Sequence, residues 1–185
     1  MKIVVAISGA SGAVYAKILL DKLLKLKNQY SEIALVISNN AKQIWESEIS
    51  EPKLEDYPFK AYDNNDFNAS FASGSTDFDK MIICPCSMGM IGRIAHGYSN
   101  DLISRAADVM LKERKTLILA FRESPLNIIH IKNLETITSA GGIIFPLSPS
   151  FYSKPGNIEE LCSTVIDRIL EHAGFNINTF RWGKH

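Results

Sequence analysis

Met81-Ile82-Ile83-Cys84-Pro85-Cys86-Ser87, a helix carrying Arg105 and Lys112, and Thr116-Leu117-Ile118-Leu119-Ala120-Phe121-Arg122-Glu123-Ser124-Pro125 follow one another as strand, turn, helix and strand. Continuous apolar runs rich in β-branched residues suit strands covered on both faces. A helix between two such strands makes them neighbours in a parallel sheet. Ligands of open parallel sheets lie beyond the carboxyl ends of the strands. Arg105, Lys112, Arg122 and Glu123 are expected to gather there, three cations and a carboxylate, and the expected guest is an anion such as a phosphorylated ligand.

The same alternation extends in both directions. Ile3 to Ile7 is a buried-strand run, Gly9-Ala10-Ser11-Gly12 turns the chain, and Val14, Ile18, Leu19 and Leu23 follow at helical spacing. Ile33 to Ile37 is a second strand, leading through Ser38-Asn39-Asn40, residues that cap helices well, into a helix ending near Ile49. Strands are predicted at Met81 to Cys84, Thr116 to Phe121 and Ile143 to Phe145, the last halted by Pro146. Helices are predicted at 87–96, 101–113 and 127–140, with Gly141-Gly142 closing the third. In the last helix Ile158, Leu161, Cys162, Val165, Ile166, Ile169 and Leu170 share one face. The expected fold is a doubly wound α/β domain, a mainly parallel sheet with helices on both faces in three layers, Rossmann-like or flavodoxin-like. Without repeats or a shift in composition, residues 1–185 read as a single domain. Only residues 50–79, rich in Asn, Asp, Ser and Phe, lack a period. Long loops of this kind form functional sites or interfaces, or order only with a partner.

Composition removes several classes of function. The chain has 185 residues, 46% hydrophobic and 22% charged, enough for a sizeable core. Twenty basic residues balance twenty acidic ones, so no global field draws the protein to nucleic acid or an anionic membrane. The Ile3–Ile7 run is shorter than a secretory apolar region, and no stretch approaches a membrane span. Cys84, Cys86 and Cys162 are too few and too oddly spaced for a disulfide framework or a zinc site, which fits a reducing cytoplasm. His96, His130, His172 and His185 show no metal-ligand spacing, so no metal is expected.

Several residues invite a chemical reading, each with a plain structural alternative. The Gly9–Gly12 turn offers backbone donors at a helix N-terminus, and Ser11 adds a hydroxyl; it could equally be a tight turn with no ligand. The second strand ends at Ser38, where a reader of the adenosine ribose would be Asp or Glu, so a mononucleotide fits better than NAD. Arg105 and Lys112 lie seven residues apart on one flank of the stripe formed by Leu102, Ala106, Val109 and Met110. That position suits a partly buried anion, or a structural pair such as Arg105 with Asp108. Arg122 and Glu123 can fix a phosphate and handle a proton, or form a loop ion pair. Arg168 flanks the last helix and Tyr152 sits in the Pro149–Pro155 loop, where either could be incidental. A nucleophilic role for Cys84 or Cys86 lacks a basic partner, so both read as buried structural thiols.

Ile7-Ser8-Gly9-Ala10-Ser11-Gly12-Ala13, Ala72-Ser73-Gly74-Ser75, Cys84-Pro85-Cys86-Ser87, Arg105-Ala106-Ala107-Asp108-Val109, Leu111-Lys112-Glu113-Arg114, Arg122-Glu123, Phe151-Tyr152 and Arg181-Trp182-Gly183 occur in that order. With these motifs the chain resembles the UbiX family of flavin prenyltransferases along nearly its full length. The resemblance implies an enzyme that joins a dimethylallyl group from dimethylallyl monophosphate to reduced FMN without a metal. The product, prenylated FMN, is the cofactor of UbiD-type decarboxylases, including one of ubiquinone biosynthesis. It implies a flavin site at Gly9, Ala10, Ser11, Ser38, Ser87, Met88, Gly89, Met90 and Arg122. It implies a prenyl phosphate site at Lys112, Glu123, Tyr152 and Arg168, and a proton relay of Glu48 with Ser11. It also implies a homo-oligomer, a dodecamer with active sites between subunits. Two positions depart from the family pattern: Met90 replaces a frequent Thr in the flavin-contacting turn, and Phe67 replaces Trp. Two alternatives share the flavin. A cysteine decarboxylase would need the Pro-x-Met-Asn-x-x-Met-Trp signature, which is absent, and a non-catalytic FMN carrier would not need the retained Glu48, Lys112, Glu123, Tyr152 and Arg168.

Overall fold

The computed structural model describes residues 1–181 and 183. Trp182 of the last motif and His185 lie outside them. Strands β1 (Lys2–Ile7), β2 (Glu32–Ile37), β3 (Lys60–Tyr62), β4 (Lys80–Cys86), β5 (Thr116–Phe121) and β6 (Ile143–Pro146) form one sheet in the order β3-β2-β1-β4-β5-β6. Every pairing is parallel. This is a doubly wound order, and its direction reverses between β1 and β4, the place where such sheets hold ligands.

Side chains alternate across each strand and so supply two cores. Ile3, Val5, Ile7, Ile82, Cys84 and Ile118 face α1 (Ala13–Lys25), α2 (Asn39–Glu48) and α6 (Ile158–His172). Val4, Ala6, Met81, Ile83, Leu117 and Leu119 face α3 (Met88–Ala95), α4 (Leu102–Lys112) and α5 (Ile128–Ser139). Residues such as Ile3, Leu19 and Met110 are wholly buried, and truncating one to Ala costs about 2–5 kcal/mol in cores of this kind.

Five of the six α-helices among the described residues start on side-chain caps, α1 starting on Gly12 instead. The side chains of Ser38, Ser87, Asp101, Asn127 and Asn157 each accept the amide of the residue three positions on. At α4 the cap is reinforced from elsewhere. Leu102 N donates to the Asn64 carbonyl at 2.7 Å, Ile103 N donates to Asn64 Oδ1 at 3.3 Å, and Arg93 pairs with Asp101 at 2.7 Å.

Residues 50–79 are ordered against the sheet, despite their lack of period. Lys60–Tyr62 pairs with Ala34–Val36 as the edge strand, and short 3-10 turns occupy Leu54–Asp56 and Ser70–Ala72. Tyr57, Phe71 and Phe78 are buried, with Phe71 edge-on to both Tyr62 and Phe78. A few aromatic anchors fix the segment, and such anchors leave no periodic signal.

Candidate functional site

At the switch point the exits of β1 and β4 are tied together by one buried hydroxyl. Ser8 N donates to the Pro85 carbonyl at 3.1 Å and Ser8 Oγ does so at 3.2 Å, while Ser8 Oγ accepts from Ser87 N at 2.8 Å. The turn after β1 and the start of α3 are thereby held side by side. Ser38 adds the third exit, its amide donating to the Ile7 carbonyl at 3.0 Å and its hydroxyl capping α2. Arg122, directly after β5, donates from Nε to the Ser11 carbonyl at 2.8 Å. Gly9, Ala10, Ser11, Ser38, Ser87, Met88, Gly89, Met90 and Arg122 thus belong to one edge of the sheet.

Two glycines of that edge are set by geometry. Gly12 has φ of +113°, in the left-handed region that disfavours side chains. At Gly9 a Cβ would lie 2.7 Å from Asn40 Cβ, so the turn sits directly on the start of α2. In front of Gly89, by contrast, a Cβ would meet nothing within 4 Å. The N-terminal end of α3 is therefore open to a ligand's close approach, and its amides favour an anion.

Glu48 reaches the same place from the far end of α2. Its Oε2 accepts from Gly12 N at 2.9 Å and Ala13 N at 2.8 Å. These are two of the donors that the glycine turn was expected to offer a ligand, and the protein's own carboxylate takes them. Desolvation raises the Glu48 pKa. The Ser11 hydroxyl, the two amides and the Arg122 charge outweigh it and hold the carboxyl below its usual range. Glu48 is therefore ionised at neutral pH beside Ser11.

The residues assigned to a prenyl phosphate are not brought together in one chain. Glu123 follows β5 at the carboxyl edge, exposed, with Oε1 accepting from Ser124 N at 3.0 Å. Lys112 ends α4, which runs back antiparallel to the strands, so it lies at the opposite edge, just before β5 begins. Roughly 20 Å, the length of the six-residue β5, separates the two. Lys112 Nζ pairs with Glu113 at 2.6 Å beside Gly74. This corrects the expectation that Lys112 joins Arg122 and Glu123 at the ends of the strands. Arg105 sits near the start of α4, seven residues and about 10 Å from Lys112 along the helix. Both side chains are exposed on the single chain.

Arg168 lies on the outer flank of α6, its side chain 57% exposed and paired with Glu171 at 2.7 Å. It lines a cleft of about 340 Å³ with Ser150, Ser153, Thr164, Thr179 and Phe180. Tyr152, exposed, belongs to the loop that supplies two of those serines. Arg168 and the Tyr152 loop therefore share a hydroxyl-rich cleft. Phe67, the other departure from the family pattern, is 45% exposed.

Sequence reasoning missed Ser8 and Glu171. Nothing marks Ser8 in the sequence, since its role depends on a strand 77 residues away. Glu171 stands three residues after Arg168 on one helix, a spacing that does predict the pair. Burial raises the pKa of Cys84 and Cys86 far above the ordinary thiol range, in keeping with inert structural thiols. Among the described residues, no group of His, Cys, Asp and Glu could hold a metal ion.

Comparison with known proteins agrees with this fold. The Flavoprotein family model matches residues 1–171. Flavin prenyltransferase UbiX of Methanocaldococcus jannaschii is 41% identical over 186 residues, spanning 99% of each chain. The dodecameric FMN-dependent UbiX-like decarboxylase of Escherichia coli O157:H7 superposes with a TM-score of 0.92, at 35% identity over 100% of both chains. AnUbiX (PadA1), solved with FMN and dimethylallyl pyrophosphate, gives a TM-score of 0.87 at 37% identity, over 97% of this chain and 98% of that one.

Proposed function

The chain belongs to the Flavoprotein family and, within it, to the UbiX flavin prenyltransferases, and on that premise we propose that it joins the dimethylallyl group of dimethylallyl monophosphate to reduced FMN. The observation that carries this reading is the convergence of Gly9, Ser11, Ser38, Ser87, Gly89, Glu48 and Arg122 on the β1/β4 switch point. That edge suits a flavin mononucleotide. It offers an open helix N-terminus at Gly89 and a guanidinium at Arg122, and its Ser38 is spent on a helix cap where a dinucleotide site would read a ribose.

When bound, the reduced flavin supplies the nucleophilic face that takes the five-carbon fragment. The protein's work is to loosen the allylic carbon to oxygen bond and to manage protons. Lys112 and Arg168 stabilise the phosphate as it departs with the bonding electrons. Tyr152 covers the donor, and the released phosphate, held near Glu123 by those two cations, takes the proton that ring closure gives up. Glu48, ionised beside Ser11, serves as a proton relay.

Lys112 cannot meet Glu123 within one chain, so a second copy supplies it. We read the protein as a homo-oligomer, a dodecamer like its Escherichia coli relative, with shared active sites. Leu126, Ile128, Ile129 and Ile131 present an exposed apolar ridge on and before α5, between 39% and 63% accessible, which suits such an assembly. We take residues 1–185 as one flavin prenyltransferase domain, working in the cytoplasm and passing its product to a UbiD-type decarboxylase. Supporting this, the three cysteines are free and buried, and no helix among the described residues is long and apolar enough to cross a membrane.

The test is direct. Incubation with reduced FMN and dimethylallyl monophosphate under anaerobic conditions is expected to give a flavin heavier by one prenyl unit, detected by mass spectrometry. Flavin bound without any such product would leave a carrier, and decarboxylation of a cysteine-ended peptide would place the chain with the cysteine decarboxylases.

A further inference from the structure

The Glu171 carboxylate serves two arginines at once. Its Oε2 takes Arg168 Nη1 at 2.7 Å and its Oε1 takes Arg181 Nη2 at 2.6 Å. The carboxylate is 13% exposed, while the two arginines are 57% and 51% exposed. The fixed element is thus the acid, and the guanidiniums are aimed outward from it.

Arg181 ends a segment held at three points, the first on the turn between α1 and β2 and the other two on α6. Asn176 exchanges two hydrogen bonds with Gln29, at 2.8 Å and 2.9 Å. Thr179 Oγ1 donates to Asp167 Oδ2 at 3.1 Å, and Asp167 itself is held by Lys22. The third point is the Arg181 pair with Glu171. Between the second and third points, Thr179 and Phe180 form one wall of the cleft that Arg168 lines. The opposite wall is fixed as well, since Ser150 N donates to Thr164 Oγ1 at 3.0 Å. A long, flexible arginine on a helix flank would otherwise sample many rotamers. Glu171 engages one of its nitrogens and leaves the remaining donors of the guanidinium for a ligand.

We propose that Glu171 is a positioning residue for the donor phosphate: it fixes Arg168 and, through Arg181, closes the Thr179–Phe180 wall beside it. Neither Glu171 nor Arg181 touches the reacting atoms. The inference rests on reading Arg168 as a ligand of the donor phosphate. One carboxylate sets both the cation and the wall, so the cleft is organised before the donor arrives, and this preorganisation lowers the cost of binding.

The experiment is a double-mutant cycle in prenyl transfer, with reduced FMN saturating and dimethylallyl monophosphate varied. Arg168→Ala is expected to raise the donor KM by about one to two orders of magnitude, the range for a lost hydrogen bond to a charged group. Glu171→Gln is expected to raise it about fivefold to tenfold with kcat changed less than twofold, and in the Arg168→Ala background to add no more than the wall effect that Arg181→Ala shows by itself. Arg181→Ala, at an exposed position, is expected to raise it about twofold to fivefold, and it carries the test if the Glu171 variant does not fold. FMN affinity is expected to stay unchanged in all of them. An unchanged Arg168→Ala KM would remove the reading of Arg168 as a phosphate ligand. A normal Arg168 effect combined with a Glu171→Gln or Arg181→Ala KM that is unchanged or lower, or with fully additive Arg168 and Glu171 effects, would remove the positioning role alone.

Discussion

Arg122 Nε donates to the Ser11 carbonyl at 2.8 Å, across the strand that separates β1 from β5. The guanidinium therefore holds the glycine turn from outside while its positive charge helps keep Glu48 ionised on the inner side. Three elements remote in sequence, the turn after β1, the end of α2 and the exit of β5, are coupled through one residue.

Arg122→Ala removes that tie and the cation together. FMN affinity is expected to fall about tenfold to a hundredfold, the range for a lost charge-assisted hydrogen bond, and a fluorescence titration of the flavin measures it. Arg122→Lys is expected to recover only part, because an ammonium keeps the charge but not the planar fork. Equal affinity in wild type and Arg122→Ala would detach Arg122 from the flavin.

Gly9→Ala tests the packing of the same turn. Its new methyl would sit 2.7 Å from Asn40 Cβ, closer than carbon atoms tolerate, so the turn and α2 must part. A loss of about 1–3 kcal/mol in stability is expected, as for overpacked sites generally, read as a lower Tm. Asn40→Gly deletes the opposing Cβ and should restore part of the loss in the double variant. A full Tm for Gly9→Ala alone would contradict the close approach.

The sheet was legible because its signal is local: Ile3 to Ile7 and Thr116 to Phe121 are apolar runs that only a doubly covered strand explains. The carboxyl-edge half of the site was legible too, since Ser38, Ser87 and Arg122 directly follow strands. Lys112 was not. Its helical face can be read from spacing, but which edge of the sheet it reaches depends on the direction of α4 after the chain turns back. The 50–79 segment was hidden for another reason. Tyr57, Phe71 and Phe78 anchor it through contacts with distant elements, and three aromatics among polar residues look the same in an ordered and a disordered loop.

Glu48 gives stability a specific pH dependence. Its folded pKa lies below that of an ordinary glutamate, so its contribution is fully present above the ordinary carboxylate range. As pH falls through the depressed value, the contribution is lost. Glu48→Gln keeps an acceptor for the Gly12 and Ala13 amides but has no charge to lose. The Tm advantage of wild type over Glu48→Gln is therefore expected to shrink as pH is lowered from 7 toward 3. A difference that stays constant over that interval would mean that the carboxylate is not ionised by its surroundings.

Because Lys112 and Glu123 stand at opposite ends of β5, a shared active site makes a prediction that no single-chain site can make. Lys112→Ala and Glu123→Gln are each expected to lose most prenyl transfer as homo-oligomers. Produced together in one cell, the two variants should assemble mixed particles in which some sites draw an intact Lys112 from one subunit and an intact Glu123 from another. With random mixing of equal amounts, those sites would number about a quarter of the total, so activity well above either parent is expected in the assay with reduced FMN and dimethylallyl monophosphate. Mixing the purified oligomers without dissociation should recover nothing. If co-produced variants stay as inactive as the parents while mixed particles are demonstrably present, Lys112 does not act across subunits, and its pairing with Glu113 beside Gly74 is its whole role.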